Sequence, residues 1–309
     1  MILVAGGSGT LGTRLIPLLT RRGTAVRILT RNPDGAPHPA GSQVEVVGGD
    51  VRDARAVERA LTGARTVISA ITGFGMARDV SARSVDWEGN ANLIRAAKAA
   101  GVEHYILLSV CQAAPAHPIE LFRMKHRAEE ELRASGLAWT IIRPTAYMET
   151  WLAILGDPLL RTGTTRIFGA GRNPINFVSA DDVAGLVDSA VADEAMRGVA
   201  IDVGGPDNLS MAEVVETFRT LTGARGTVRH VPRPVMRVMS AVMKPFNPAM
   251  AAVIEAAVVM DTRDMTFDPT EMRRRHPSIP MTPLADVIRH GYLDRASAGV
   301  GETRNHAVT

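Results

Sequence analysis

The feature that most constrains this 309-residue chain is a set of three evenly spaced glycines between an apolar run and an amphipathic segment. The run Ile2–Ala5 predicts a buried strand, and Gly6, Gly9 and Gly12 follow it. Leucines on one face of the next segment indicate a helix, and residues 25–29 predict a second strand. A strand–turn–helix–strand unit of about 30 residues is typical of a βαβ unit.

The three glycines suit a turn that binds phosphate. One permits the tight turn, one lets backbone approach a pyrophosphate, and one lets the helix pack closely on the strand. The backbone N–H groups that open the helix also favour negative charge. We therefore predict cofactor contacts at Gly6, Gly9, Thr10, Leu11 and Gly12. The alternative is a glycine-rich turn that binds nothing, but the flanking strand and helix favour the phosphate site.

Composition and charge exclude several classes of protein. A formal charge of +3 with interspersed signs does not indicate a nucleic-acid surface. The single cysteine, Cys111, excludes an internal disulfide framework, and no histidines or carboxylates show metal-ligand spacing, so we predict no metal. A strand predicted from the first residues leaves no room for a signal peptide. No apolar stretch reaches the ~18 residues of a spanning helix. We expect a cytoplasmic monomer or homodimer with a small-molecule substrate.

The end of the second predicted strand indicates which dinucleotide fits. A fold that selects NAD usually has Asp or Glu there, whereas this chain has Thr30 and Arg31. Because a guanidinium pairs well with a 2′-phosphate, Arg31 favours NADP(H) over NAD(H). The alternative is that Arg31 is only a solvated side chain at a strand end.

Other strand ends supply further candidates, because ligands of doubly wound sheets bind outside the carboxyl ends of the strands. Further strands are predicted at residues 44–47, 66–71 and 104–109, and helices at residues 54–61 and 86–100. Ser69, Ala70 and Ile71 are therefore predicted neighbours of the cofactor ribose and phosphates. Ser109 ends the fifth strand, where its hydroxyl either binds substrate or caps the strand. Asp53 is predicted to cap the helix at 54–61.

Longer segments resemble the NmrA-like group of the atypical and extended short-chain dehydrogenase/reductase superfamily. The resemblance is carried by residues 90–109, 120–125, 129–136 and 139–144, and it covers about residues 1–150 and more loosely extends to 210. It implies an α/β fold, a doubly wound Rossmann-type and mostly parallel sheet, with a smaller, mainly helical C-terminal substrate lobe. It also implies that Asp50 and Val51 lie beside the adenine, and that the turn containing Pro144 lies near the nicotinamide.

The resemblance also shows a departure at the catalytic positions. Typical members use a tyrosine four residues before a lysine on one helix, with a serine from the preceding strand end. Lys125 occupies the lysine position, but Leu121 replaces the tyrosine. The resemblance makes Lys125 a general acid/base or a ribose ligand, and the alternative is a solvated lysine. Ser109 or Tyr147 would assist, although Tyr147 is also compatible with a plain core or lid aromatic.

The second half of the chain is expected to shape the substrate site. We predict a dinucleotide-binding domain at residues 1–150, with returning elements within 165–205. A substrate lobe at 151–295 and a disordered tail at 296–309 follow. Residues 165–184 resemble the hairpin, strand and helix start of extended reductases, and the methionine-rich stretch 231–261 suits an apolar ligand. The chain is thus expected to be an NADP(H)-dependent oxidoreductase acting on a small apolar carbonyl, quinone or ether-like substrate. The alternative is a non-catalytic redox sensor or assembly factor.

Overall fold

A computed structural model describes residues 1–74 and 80–294. Its strands are β1 (Ile2–Ala5), β2 (Val26–Thr30), β3 (Val44–Gly48), β4 (Thr66–Ser69), β5 (His104–Leu108), β6 (Trp139–Pro144), β7 (Ala146–Tyr147), β8 (Thr164–Phe168), β9 (Ile175–Val178), β10 (Val199–Val203), β11 (Asn208–Leu209) and β12 (Thr227–Val231).

The α-helices alternate with the strands in the first half and dominate the second. They are α1 (Gly12–Arg21), α2 (Ala54–Leu61), α3 (Asn90–Ala99), α4 (Glu120–Ala134), α5 (Met148–Leu155), α6 (Asp157–Thr162), α7 (Ala180–Ala192), α8 (Met211–Thr222), α9 (Arg233–Met243), α10 (Pro248–Met260), α11 (Thr270–Arg275) and α12 (Leu284–Ile288). None of the helices in the described ranges combines the length and hydropathy that crossing a bilayer requires.

Seven of the described strands form one parallel sheet in the order β3-β2-β1-β4-β5-β6-β10. The strand order reverses beside β1, because β2 and β3 lie on one side of it and β4 to β6 on the other. Helices α1 and α7 cover one face of the sheet, while α2, α3 and α4 cover the other. The predicted doubly wound Rossmann-type fold is confirmed, and its reversal point is where such folds bind ligands.

The alternation of buried side chains explains why the sheet forms. Each residue of β1 is buried, with Ile2 and Val4 in the core on one face and Leu3 and Ala5 in the core on the other. A strand buried on both faces reads as a continuous apolar run, which is the pattern seen in the sequence. The second half has a separate core, in which α5, α8 and α12 pack around β7 and β9.

Two predicted elements differ from the structure. The helix predicted to begin at Asp86 begins earlier, with a π-helical segment Ala82–Gly89 that runs into α3. Ser81 caps this segment, because its hydroxyl accepts a hydrogen bond from the Ser84 N–H. The predicted hairpin within 165–184 is wrong, since β8 pairs with β12 while β9 pairs with β7 and β11. The predicted disordered tail at 296–309 lies outside the described residues.

Candidate functional site

The glycine turn between β1 and α1 is held by close backbone contacts. Gly6 has a φ of +86°, and a Cβ there would lie 2.5 Å from the Ala70 carbonyl oxygen. A Cβ at Gly12 would lie 2.3 Å from the Gly7 carbonyl oxygen. At Gly9 the nearest atom would be the Gly6 carbonyl oxygen at 3.4 Å. Packing within the protein therefore requires glycine at two of these positions, while the third faces space that a ligand can occupy.

The start of α1 presents unpaired donors to that space. Within the described part of the chain, the backbone N–H groups of Thr10, Leu11 and Gly12 donate no hydrogen bond. The first turn of α1 also contains no acidic residue. Unpaired N–H groups at the positive end of a helix dipole stabilise an anion. The turn therefore fits a pyrophosphate in both shape and charge.

The ends of β2 and β3 form the next part of the crevice. Arg31 is exposed just after β2, and the Thr30 and Ser8 hydroxyls are hydrogen bonded at 2.8 Å. Asp50 accepts hydrogen bonds from the Arg52 side chain at 2.6 and 3.0 Å, and these hold the pKa of Asp50 below its usual value. Val51 is buried beside it. The predicted 2′-phosphate and adenine neighbours thus lie at adjacent strand ends.

The three predicted neighbours after β4 differ in what they present. The Ser69 hydroxyl is buried and donates to Asn90 Oδ1 at 2.6 Å, and Asn90 Nδ2 donates to the Asp86 carbonyl at 2.7 Å. The Ser69 side chain therefore stabilises the interior of the fold. The carbonyl groups of Ala70 and Ile71 lie at the crevice, one beside Gly6 and the other bonded to Lys125.

Lys125 is buried on α4, where its ammonium donates two hydrogen bonds and forms an ion pair with Asp86. Nζ lies 2.8 Å from the Ile71 carbonyl, 2.8 Å from the Leu108 carbonyl and 3.1 Å from Asp86 Oδ1. Asp86 is fully buried and also accepts from the Gly73 N–H at 2.8 Å. Burial raises the pKa of Asp86, and the Lys125 charge opposes that shift. Lys125 thereby ties together the ends of β4 and β5, which border the crevice.

Ser109 is engaged in a second buried ionic group. Its hydroxyl donates to Glu129, which is fully buried on α4 one turn after Lys125. Arg143 Nε donates to Glu129 Oε1 at 2.9 Å, and Arg133 Nη2 donates to Oε2 at 3.1 Å. The Ser109 proton is therefore directed to a protein carboxylate, and its roles as a substrate contact or a strand cap stay predictions.

An apolar cavity of about 150 Å³ opens at the carboxyl ends of β4, β5 and β6. Its wall comes from the loops after these strands, from α4 and α5, and from the second half of the chain, and it includes Phe74, Val110, Leu121, Phe122, Ala146, Trp151, Ala256, Met260 and Met265. Polar atoms at the wall come from Cys111, Gln112, Thr145, Asn176 and Thr266. The cavity lies on the β4 side of the glycine turn, where the second half of a dinucleotide would extend.

The residues at the predicted proton-donor positions lie differently around this cavity. Leu121, at the position where the sequence resemblance leads one to expect a tyrosine, forms part of the wall. Ala146 also faces the cavity, whereas Tyr147 packs against the core beside α1, and burial raises its pKa. Cys111 has the one ionisable side chain among the described residues of the wall. Burial raises its pKa to about 12, so it is a very weak acid.

One wall residue has an unusual backbone conformation. Gln112 has a φ of 65°, a left-handed value shared with no other non-glycine residue in the described ranges. Such a conformation costs about 1–2 kcal/mol for a residue with a Cβ. The loop after β5 is thus held in a strained shape where it borders the cavity, as is common at binding sites. Pro144 lies behind this loop, and its carbonyl accepts from the Cys111 N–H at 2.9 Å.

Sequence reasoning missed two charged residues of this region. Asp86 was interpreted only as part of a helix, and Glu129 only as part of a motif, yet both are fully buried carboxylates with cationic partners. A weak signal existed, since Lys125 and Glu129 are four residues apart and therefore lie on one helix face. No group of three or more potential metal ligands occurs in the described parts of the chain.

The comparisons with known proteins agree with this geometry. A family model described as "NAD(P)H-binding" matches residues 6–194, which is more than half of the chain. The chain belongs to this family. This match confirms the dinucleotide-binding family expected from the sequence, and solved structures of two reductases and a nucleoside-diphosphate-sugar epimerase share the fold at 18–22% identity.

Individual relatives of this NAD(P)H-binding chain have different functions. A photosystem II assembly factor, Ycf39 of Synechocystis, is 28% identical over 77% of this chain and 72% of its own length. An NAD(P)H azoreductase of Xenophilus azovorans is 29% identical over 72% and 74%, respectively. The NADPH complex of quinone oxidoreductase QOR2 from Escherichia coli superimposes with a TM-score of 0.73 at 23% identity, covering 94% of this chain and all of that one.

Proposed function

We propose that this protein is an NADP(H)-dependent oxidoreductase that reduces a small apolar acceptor, with quinones favoured among the carbonyl, quinone and ether-like classes. The observation that carries the proposal is the apolar cavity beside the glycine turn, at the strand ends where the nicotinamide half of the cofactor would lie. The azoreductase relative supports a reductive activity.

The chain's own residues would bind the cofactor in three places. The N–H groups of Thr10, Leu11 and Gly12 would hold the pyrophosphate, and Arg31 would pair with the 2′-phosphate. Asp50 would lie near the adenine. When bound, the dinucleotide supplies the hydride. At the cavity, the protein would contribute an apolar wall that orients the acceptor and excludes water.

The cavity wall restricts which acceptors suit the site. Simple ketones need a proton at the oxygen as hydride arrives, because an alkoxide is a strong base. Within the described wall, Cys111 is the one ionisable group, and its pKa near 12 makes it a poor donor. A quinone instead accepts hydride to give a hydroquinone monoanion, which is stable in water and takes its proton from solvent afterwards. The wall therefore favours quinones over unactivated ketones.

In this proposal Lys125 has a structural role at the crevice. Its ammonium joins the Ile71 and Leu108 carbonyls across two strand ends and keeps the crevice in shape. A direct role as acid/base or ribose ligand would require the ammonium to exchange one of its three partners, the two carbonyls and Asp86, for the ligand. The assistance of Ser109 and Tyr147 stays a prediction, since one hydroxyl is bonded to Glu129 and the other side chain packs away from the cavity.

The test is a panel of acceptors followed by NADPH absorbance. We expect turnover of quinones and none of aliphatic ketones of similar size. Leu121→Trp should raise the quinone KM at least tenfold by filling the cavity, without changing NADPH affinity. The matched control is Leu160→Trp, at a half-exposed leucine on α6, and it should behave as wild type. Turnover of ketones, or a Leu121→Trp enzyme with unchanged KM, would contradict the assigned cavity.

The cofactor preference has its own test. NADPH and NADH are titrated against the wild type and Arg31→Ala by intrinsic fluorescence. Loss of a charged hydrogen bond should weaken NADPH binding by about tenfold or more and leave NADH binding unchanged. The control is Arg59→Ala, at an exposed arginine in the last turn of α2, the end of that helix remote from the crevice. Equal affinity for both cofactors in the wild type would overturn the NADP(H) preference.

A second candidate function is dinucleotide sensing without catalysis. The observation that favours it is the buried Lys125 ammonium, already engaged by two carbonyls and by Asp86, together with Leu121 in place of the family tyrosine. The assembly-factor relative is consistent with it. Tight NADPH binding with no turnover of any quinone, enone or azo acceptor would support this function over the first.

A further inference from the structure

Helix α9 and the turn after it carry an exposed apolar stripe. It consists of Val235, Val238, Met239, Val242 and Phe246, whose side chains are between 43% and 71% exposed. Val238, Met239 and Val242 lie three, four and seven residues after Val235 and therefore share one side of α9, and Phe246 follows in the turn. Single exposed apolar residues are normal, but a continuous stripe of five large ones marks an interaction surface.

The stripe is not the frayed edge of a loosely packed helix. The opposite side of α9 packs on α10, with Met236 buried against Ile254 and Ala257. Ser240 is also buried and its hydroxyl lies 3.0 Å from Glu255 Oε1. The two helices therefore form a well-packed hairpin that holds the apolar stripe outward.

Positive charge is in excess around this hairpin. Between residues 223 and 261 the acidic residues are Glu255 and Asp261, which pair with Lys244 and Arg233, whereas Arg225, Arg229 and Arg237 form no ion pair with the described residues. Arg229 and Arg166 also stand in register on the paired strands β12 and β8. Strand alternation places them on the face of Phe168 and Val231, which pack against the hairpin.

These two arginines are not neutralised by the fold. Both are exposed, and neither Arg166 nor Arg229 forms an ion pair with any residue in the described ranges. Like charges directly opposite each other on paired strands are destabilising unless an anion lies between or above them. An apolar stripe beside uncompensated cations is the pattern of a helix that lies in a membrane interface, with apolar side chains among the acyl chains and cations at lipid phosphates.

We propose that the α9–α10 hairpin docks this protein on an anionic lipid surface. The stripe of α9 would enter the interface, and Arg166 and Arg229 would contact the lipid phosphates. A second copy of the chain is a poorer occupant. A two-fold interface would bring these cations against their own copies, and one helix face falls short of the roughly 800 Å² per partner of a stable dimer.

Flotation of the full-length protein with lipid vesicles tests this proposal without any need for turnover. We expect binding to vesicles of equal parts phosphatidylglycerol and phosphatidylcholine, and none to phosphatidylcholine alone. Binding should weaken as salt is raised. Val238→Asp should lower the bound fraction at least about tenfold, and Arg229→Glu about fivefold or more.

Matched controls distinguish the surface from a general effect of charge. Val199→Asp, on the edge strand β10, and Lys98→Glu, on α3, make the same changes of charge far from the hairpin and should bind as wild type. Unchanged thermal unfolding by circular dichroism confirms that each variant is folded. Failure of the wild type to float with anionic vesicles overturns the proposal. A wild-type dimer that Val238→Asp dissociates would also overturn it, because a second copy would then occupy the stripe.

Discussion

At the residue scale, the glycine turn allows binding to be separated from folding. Gly9→Ala adds a methyl group whose nearest neighbour is 3.4 Å away, so the unfolding free energy should change by less than about 1 kcal/mol. The methyl would occupy the space left for a pyrophosphate, and NADPH affinity should fall at least tenfold, or about 1.4 kcal/mol. Urea unfolding and fluorescence titration measure the two effects.

Gly12→Ala provides the contrast. Its methyl would lie 2.3 Å from the Gly7 carbonyl oxygen, so overpacking should cost about 1–3 kcal/mol of stability. Gly185→Ala in α7 is the control, because no atom lies within 4 Å and alanine should stabilise the helix by roughly 0.5–1 kcal/mol. If Gly9→Ala bound NADPH as tightly as wild type, the turn would not be the phosphate site.

The buried pair of Lys125 and Asp86 gives a second prediction at this scale. Asp86→Asn keeps the shape of the side chain but leaves a buried ammonium without its anion. Breaking such a pair should lower the unfolding free energy by about 3–5 kcal/mol. The double variant Asp86→Asn/Lys125→Met should recover part of the loss, because no charge is then stranded. If the unfolding free energy of Asp86→Asn were within about 0.5 kcal/mol of the wild-type value, the pair would not organise the crevice.

The same pair shows which site residues a sequence reveals. Gly6 and Gly12 could be identified because the contacts that require glycine are local to one turn. Lys125 could be located from the motif around it, but its partner Asp86 is 39 positions away and reaches it only through the fold. Ser109 was correctly placed at a strand end, yet its hydroxyl points to Glu129, which a strand pattern cannot show.

At the element scale, the packing of β5 on β6 predicts a pH dependence of stability. His104 is buried on β5 and its Nε2 lies 2.9 Å from the Thr140 hydroxyl, which itself donates to the Met196 carbonyl. Thr140 must therefore accept from His104, so the neutral ring with a proton on Nε2 fits. Burial lowers the pKa of His104 to about 4 from its ordinary value of 6.5.

The folded state holds the His104 proton less tightly than the unfolded state does. Neutral His104 therefore contributes to the unfolding free energy in full above pH 6.5, and this contribution is lost as the pH falls from 6.5 toward 4. The loss over that range is about 3 kcal/mol. His104→Gln can keep the hydrogen bond without titrating. Urea unfolding at several pH values should show a smaller loss of stability for His104→Gln than for wild type. Parallel curves would mean that His104 is not the responsible group.

Element prediction succeeded where local pattern and tertiary packing agree. The helix α2 was predicted at its observed bounds, and Asp53 caps it by accepting from the Arg55 N–H at 2.9 Å. The start of the segment Ala82–Gly89 was missed because its π-helical turns do not follow the 3.6-residue period. The hairpin predicted for β8 was wrong because its actual partner, β12, lies about 60 residues further along the chain. No local sequence pattern encodes that pairing.

At the scale of the whole molecule, the two halves meet at the cavity, and α10 connects that cavity to the outer surface. Ala256 and Met260 on α10 line the cavity, while Ile254 and Ala257 pack on α9. A hairpin docked on lipid would thus bring one wall of the cavity close to the membrane. The composition of the chain gives no sign of this arrangement, because a formal charge of only +3 conceals the local excess of cations.

This arrangement predicts how lipid affects catalysis, and the prediction rests on both the proposed reductase activity and the proposed docking. Anionic vesicles should increase kcat/KM at least about tenfold for a quinone with a long alkyl chain, because the acceptor and the enzyme then share one surface and a higher effective concentration. Phosphatidylcholine vesicles should give no increase. Val238→Asp should abolish the increase yet leave the rate with a short, water-soluble quinone unchanged, since that residue lies outside the cavity. An equal increase in Val238→Asp would show that α9 does not deliver the enzyme to the lipid, whereas absence of turnover with either quinone would reject the reductase activity itself.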